Sequence, residues 1–163
     1  MTPSIAQFMR DLEQVWDAHQ QALIQRRDLR AALAQLAAEP AITHIPAMTG
    51  GTGRQAVERF YADQFLPHLP ADLTLRRISR TVDRWRLVDE TTVSFTHDRE
   101  LPWLLPGAEP TFRRAEVLAI AVVGFDRTRI RSQRVLWDHA TLLSQLNLRA
   151  RADWCDLRGF GVS

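Results

Sequence analysis

The chain has 163 residues, 45% hydrophobic and 25% charged, which suits one domain able to bury a full core without disulfide staples. Its 21 basic residues are all arginine and face 19 acids, so the net charge is only +2 and the pI near 9.4 reflects groups that do not titrate in range. Arginines scattered among acids, with no accompanying motif, exclude a nucleic-acid partner from the expectation. The single cysteine, Cys155, excludes an internal disulfide and a multi-cysteine zinc site. With no basic-then-apolar leader and no apolar run of membrane-spanning length, a cytoplasmic protein without membrane attachment is expected.

In chain order, residues 4–38 read as two consecutive helices with a bend near Arg26–Asp28. Ser4 is a capping residue with Gln7 three positions on. Ile5, Phe8, Met9, Leu12, Val15, Trp16, His19 and Leu23 keep helical spacing. The second helix starts at Asp28 and is expected to run to Pro40, which stops it. "AITHIPAMTGGTG" follows as a short extended piece and a glycine turn. A third helix is predicted from "RQAVERFYADQFLPHL", with Val57, Phe60, Tyr61 and Phe65 as its buried stripe.

From Asp72 onward, β-branched and aromatic residues dominate, and turns are expected at residues 89–90, 105–107 and 126–128. Three helices followed by an antiparallel meander imply an α+β fold. The expected shape is a cone-shaped α+β barrel: three N-terminal helices packed on a strongly curved, mostly antiparallel sheet. Residues 1–148 form this single domain, and 149–163 a C-terminal tail.

The pieces "HIPAMTGG" (44–51), "FYADQF" (60–65), "ISRTVDRWRLVDE" (78–90), "FTHDRELPWLLPG" (95–107), "PTFRRAEV" (110–117) and "WDHATLLSQLNL" (137–148), in this element order, carry a resemblance. The chain resembles the nuclear-transport-factor-2-like superfamily, and within it the SnoaL-like proteins. More narrowly it is similar to a branch often labelled as related to dienelactone hydrolase. The Gly-x-Cys/Ser-x-Gly elbow of a true dienelactone hydrolase is absent. The superfamily hosts isomerases, cyclases, dehydratases, epoxide hydrolases and non-catalytic binding domains.

Three residues are expected to be catalytic. In the strand 91–99, Val93, Phe95 and His97 share one face, so His97 can look into the cone as an acid or base near neutral pH; the alternative is a hydrogen-bonded histidine that orders the following loop. Glu116 has the parity of Phe112, Leu118, Ile120 and Val122, where burial would raise its pKa; the alternative is a salt bridge with Arg114. The resemblance also implies a glutamate at this place. It further implies an acid/base carboxylate on the last strand, a position Asp138 resembles; the alternative is a strand-end cap or a pair with Arg134. Related sequences carry a Glu-His pair shortly before the Trp-Asp, where this chain has Gln133 and Arg134.

His44, Trp16, Tyr61, Phe95, Trp103 and Trp137 are the candidate substrate-binding residues, with Trp103 placed across the opening. His44, His97 and Glu116 form a conceivable ligand set, but no metal and no cofactor are expected. The expected function is a cofactor-independent enzyme moving protons on an apolar carbonyl or ring substrate: an isomerase, cyclase, dehydratase or hydrolase. The alternative is a non-catalytic ligand-binding or dimerisation domain of the same fold. A homodimer is expected, with the face of Ala115, Val117, Ala119, Ala121 and Val123 serving either a subunit contact or helix packing.

Overall fold

The computed structural model describes residues 2–151; Cys155 and most of the expected tail lie outside them. Helix α1 (Ile5–Gln20) starts where Ser4 Oγ accepts from the Gln7 amide. A π-helical turn, Gln21–Gln25, follows it. Helix α2 (Leu29–Ala34) is capped by Asp28, which accepts from the Ala31 amide. The bend expected at 26–28 is there, with Arg27 at positive φ.

The second helix ends at Ala34 rather than at Pro40, because strand β1 already spans Leu36–Ile45. Alanine-rich sequence favours a helix locally. Pairing with a distant strand overrides that preference: Leu36 lies opposite Ile130, and the Ile130 amide donates to the Gln35 carbonyl. An irregularity between Leu36 and Ala41 accommodates Pro40, which has no amide to give a ladder. Strand β2 (Thr49–Thr52) turns back on β1. Gly50 is required there: at φ +142°, a Cβ would fall 1.8 Å from the Ile42 carbonyl oxygen.

Helix α3 (Arg54–Arg59) continues into a second π-helical segment, Phe60–Phe65, and a 3₁₀ turn, Leu66–His68. Strands β3 (Thr74–Val82), β4 (Arg86–Thr96), β5 (Arg114–Asp126) and β6 (Arg129–Trp137) complete the sheet, and helix α4 (His139–Leu146) follows. The β3–β4 hairpin turns at Asp83, whose carboxylate accepts from the Trp85 and Arg86 amides. The expected turn at 89–90 is therefore interior to β4. Asp89 pairs with Arg80 on one side and Ala121 on the other.

The sheet order is β2-β1-β6-β5-β4-β3, antiparallel except for β1 with β6. It curls over the helices, the expected α+β cone. Along β5 the odd residues, Ala115 through Val123, are buried, whereas Leu118, Ile120 and Val122 are half-buried and Glu116 is exposed. The small, smooth face thus turns inward, and the large apolar residues face out. A bulge after Ile130 resets the parity of β6, so Gln133, Val135 and Trp137 point in.

Candidate functional site

Three elements meet inside the cone: α1 with its π turn, the π-helical segment after α3, and the inner faces of β4, β5 and β6. They enclose a narrow pocket of about 80 Å³. The walls are mainly apolar and aromatic, among them Trp16, Phe65, Trp103 and Trp137. Both π segments contribute: Leu23 and Ile24 from the first, Tyr61 and Phe65 from the second. A π turn is wider than an α turn and brings an extra side chain onto one face, a device common at functional sites.

The polar atoms on these walls belong to neutral side chains. His19 is fully buried. Its Nδ1 lies 3.0 Å from the Ala32 carbonyl oxygen, which can only accept. The ring proton therefore sits on Nδ1, and Nε2 presents a lone pair. Tyr61 Oη lies 3.0 Å and Gln133 Nε2 2.9 Å from that lone pair. Gln133 also donates to Tyr61 Oη at 3.4 Å. One lone pair cannot take two donors fully. The two share it, so an acceptor on a ligand in the pocket can compete for the Tyr61 hydroxyl proton.

His44 has the opposite tautomer. Trp137 Nε1, a donor only, lies 3.1 Å from His44 Nδ1, which places the proton on Nε2 as a second donor. Phe60, Phe65, Trp103 and Trp137 surround the ring at centroid distances of 5.4–6.2 Å. Burial lowers the pKa of His44 to about 3. Burial likewise lowers His19 to about 4, against a smaller upward pull from the Ala32 carbonyl. Burial pushes the Tyr61 phenol up. All three groups are neutral near pH 7, one offering an acceptor nitrogen and two offering donors.

A charged cluster stands behind the pocket and holds one wall. Asp89, 6% exposed, takes Arg80 Nε at 2.6 Å and Arg80 Nη2 at 2.8 Å. Its Oδ2 also accepts from Trp16 Nε1 at 2.8 Å. Asp17 binds the same guanidinium at 2.8 Å, and Glu13 lies 3.7 Å away. Burial pulls the Arg80 pKa down, but the bonds to Asp89 and Asp17 outweigh it and the net shift is upward. Trp16, fixed by Asp89, stacks on His19 at 5.8 Å.

Five of the six expected substrate-binding residues line this pocket: Trp16, His44, Tyr61, Trp103 and Trp137. Phe95 is fully buried but off the pocket wall. Trp103 is also fully buried; it is a wall, not a lid across the opening. Its Nε1 donates to the His68 carbonyl, and its own carbonyl accepts from Thr49.

The three residues expected to be catalytic do not converge on this space. His97 is buried, but off the pocket; its Nδ1 lies 3.1 Å from Thr111 Oγ1. Glu116 is on the outer face of the sheet, because inward parity on β5 belongs to the odd residues; it accepts from Ser94 Oγ at 3.0 Å. Asp138 lies beyond the last strand. It is exposed and caps α4, accepting from the Thr141 amide and hydroxyl, which lower its pKa. Among the described residues, no group of three or more histidines, cysteines and acids is placed to hold a metal ion.

Sequence reasoning missed His19, Gln133 and Asp89 as site residues. His19 was visible on the apolar stripe of α1, seven before Arg26 and three after Trp16, and a histidine there is a buried polar group needing partners. Asp89 has the parity of Leu87, Val93 and Phe95, the inward set of β4. Gln133 was singled out only as a departure from the Glu-His pair of related sequences; the β6 bulge that turns it inward was not legible.

No protein-family description and no curated protein matches the chain. Solved structures do. A protein of unknown function from Burkholderia pseudomallei, described as NTF2-like, is 23% identical with a TM-score of 0.64, over 83% of this chain and 97% of that one. A protein assigned as a SnoaL-like polyketide cyclase from Jannaschia is 12% identical with a TM-score of 0.70, over 92% and 99%. An LEH-like epoxide hydrolase from M. tuberculosis is 14% identical with a TM-score of 0.62, over 85% and 91%. The chain has the NTF2-like fold that these proteins share.

Proposed function

On the premise of an NTF2-like fold enclosing a pocket, we propose that the protein binds a largely apolar ring compound bearing a carbonyl oxygen and moves a proton on it. The observation that carries this reading is the His19–Tyr61–Gln133 cluster at the pocket wall. Tyr61 Oη donates to the ligand oxygen, and His44 Nε2–H is a second donor on the same pocket. His19 Nε2 is the proton acceptor, its other nitrogen anchored on Ala32. A proton leaving a carbon next to the carbonyl would pass to His19 Nε2. The bonding pair would move onto the oxygen, where the donors stabilise the developing charge. Where a carbon–carbon double bond is conjugated with the enolate, return of the proton from His19 to its far carbon completes an isomerisation; with a β-hydroxyl, the pair on oxygen re-forms the carbonyl, the C–O bond breaks and the oxygen leaves as water with the His19 proton. Gln133 must yield its place on the lone pair as His19 takes the proton, and the amide can turn its oxygen toward the new N–H. This acid/base set replaces His97, Glu116 and Asp138.

The test is exchange chemistry. A panel of fused-ring ketones is incubated with the protein in D2O, and deuterium next to the carbonyl is followed by NMR. Tyr61→Phe should slow exchange by about 10²-fold, and His19→Gln should abolish it; Glu116→Gln and Asp138→Asn should leave it unchanged. The low pKa values of both histidines, about 4 and 3, make them weak bases and favour a second reading, a non-catalytic binding domain. Ligands that bind throughout the panel without any exchange would establish that reading instead.

A homodimer through the outer sheet face is also proposed. Val88, Leu118, Ile120 and Val122 are half-buried there, and Leu136 is 42% exposed. Sedimentation should give a dimer that Ile120→Glu converts to a monomer.

A further inference from the structure

A second compartment adjoins the pocket and differs from it in chemistry. The two share Gln20, Ile24, Leu73, Leu75 and Thr91 as common walls, so an inner and an outer compartment lie side by side. The inner part is the aromatic pocket. The outer part opens to solvent, and its remaining lining is polar.

Two local irregularities build this mouth. On the helical side, Asp17, Gln20, Gln21, Ile24 and Gln25 all line it. The π turn Gln21–Gln25 widens the face, so neighbours in sequence both reach the space. On the strand side, the register of β3 against β4 shifts between Arg77 and Ser79. Strict alternation would send Arg77 and Arg80 to opposite faces; the bulge at Ile78 puts both on the mouth.

The charges there balance. Arg80 is held by Asp17 and Asp89, and Arg77 brings the lining to two acids and two guanidiniums. An anionic ligand group drawn to Arg77 meets Asp17 and Asp89, and a cationic group meets the two arginines. Besides the Arg77 guanidinium, the lining groups outside ion pairs among the described residues are the amides of Gln20, Gln21 and Gln25 and the hydroxyls of Thr74 and Thr91. Each amide offers donors and an acceptor together, which hydroxyl groups match.

We propose that this mouth is a second ligand subsite, and that the ligand is a two-part molecule. Its apolar ring portion occupies the pocket, and an uncharged, hydroxyl-rich extension, such as a glycosyl group, lies against the glutamines. The inference rests on the ring-binding reading above.

Calorimetric titration of the full chain with 2-naphthol, 2-naphthyl β-D-glucoside and 2-naphthyloxyacetate tests it. The glucoside should bind about 10-fold more tightly than naphthol, the effect of one or two net hydrogen bonds. The oxyacetate should gain nothing. Gln21 and Gln25 are exposed, so a Gln21→Ala/Gln25→Ala variant should fold normally. It should keep its affinity for naphthol and lose the glucoside advantage. A glucoside no tighter than naphthol, an advantage that survives in the double variant, or an equal gain for the oxyacetate overturns the subsite alone. Failure of naphthol itself to bind defeats the ring-pocket reading, and the subsite with it.

Discussion

His19 and His97 are both fully buried histidines, and they occupy different kinds of place. His19 has both ring nitrogens engaged, one by a backbone carbonyl and the other by Tyr61 and Gln133 on a pocket wall. His97 is engaged at Nδ1 by Thr111, from its hydroxyl at 3.1 Å and its amide at 3.3 Å; Nε2 is buried with no hydrogen-bond partner among the described residues. It ties the end of β4 to the segment that leads into β5. Burial therefore does not mark a site. What separates them is whether the partners open onto a space that a ligand can fill.

Acid acts on both rings, because burial lowers the pKa of His97 as well as that of His19; the pocket histidines are His19 and His44. An unfolded histidine titrates near 6.5, whereas burial holds folded His19 at about 4 and folded His44 at about 3. Between those values the unfolded chain binds protons that the folded chain does not, so stability rises with pH there. Stability should be flat above about pH 6.5 and fall as the pH drops toward 4, by on the order of 3 kcal/mol from His19 alone. Urea titrations from pH 4 to 8 measure the slope, and His19→Gln should remove its own share. A slope unchanged in that variant would mean that His19 is not held neutral by the fold.

His19→Leu should have an effect of similar size. It leaves Tyr61 and Gln133 without a shared partner in a buried place, at about 1–3 kcal/mol for each unsatisfied group. Ligand affinity should fall with it. His97→Leu should cost no more than about 1 kcal/mol, since the lost bond to Thr111 is offset by removal of an unpaired nitrogen. Pocket binding should be unchanged; a large loss of affinity there would erase the distinction between the two rings. Smallest is Glu116→Gln on the outer face, expected within about 0.5 kcal/mol with unchanged ligand affinity, as thermal melts and the same titrations would report.

The stretch around His97 illustrates how parity reads and where it stops. Alternation correctly placed Val93, Phe95 and His97 together, and that face is the inner one. It could not say that the inner face continues past the end of the pocket. The same rule misplaced Glu116: on β5 both parities are apolar, and the large even residues looked like the core. Small residues are in fact the inward set, because the curved sheet closes on bulky Trp16, Tyr61 and Phe65 from the helical side and leaves little room opposite them.

By itself the sequence determined the α+β class, the Ser4 cap, the bend before α2, the β5–β6 turn and most of the aromatic pocket wall. These depend on local chemistry or on one-element periodicity, which short windows contain. Tertiary structure decided the rest. Pairing of Leu36 with Ile130 converted a helix-favouring run to a strand, bulges in β3 and β6 set which of Arg77, Arg80 and Gln133 face inward, and π turns widened two helical faces. Each depends on contacts between residues far apart in the chain. The His19–Tyr61–Gln133 cluster joins positions separated by 42, 72 and 114 residues, and no local pattern encodes that meeting.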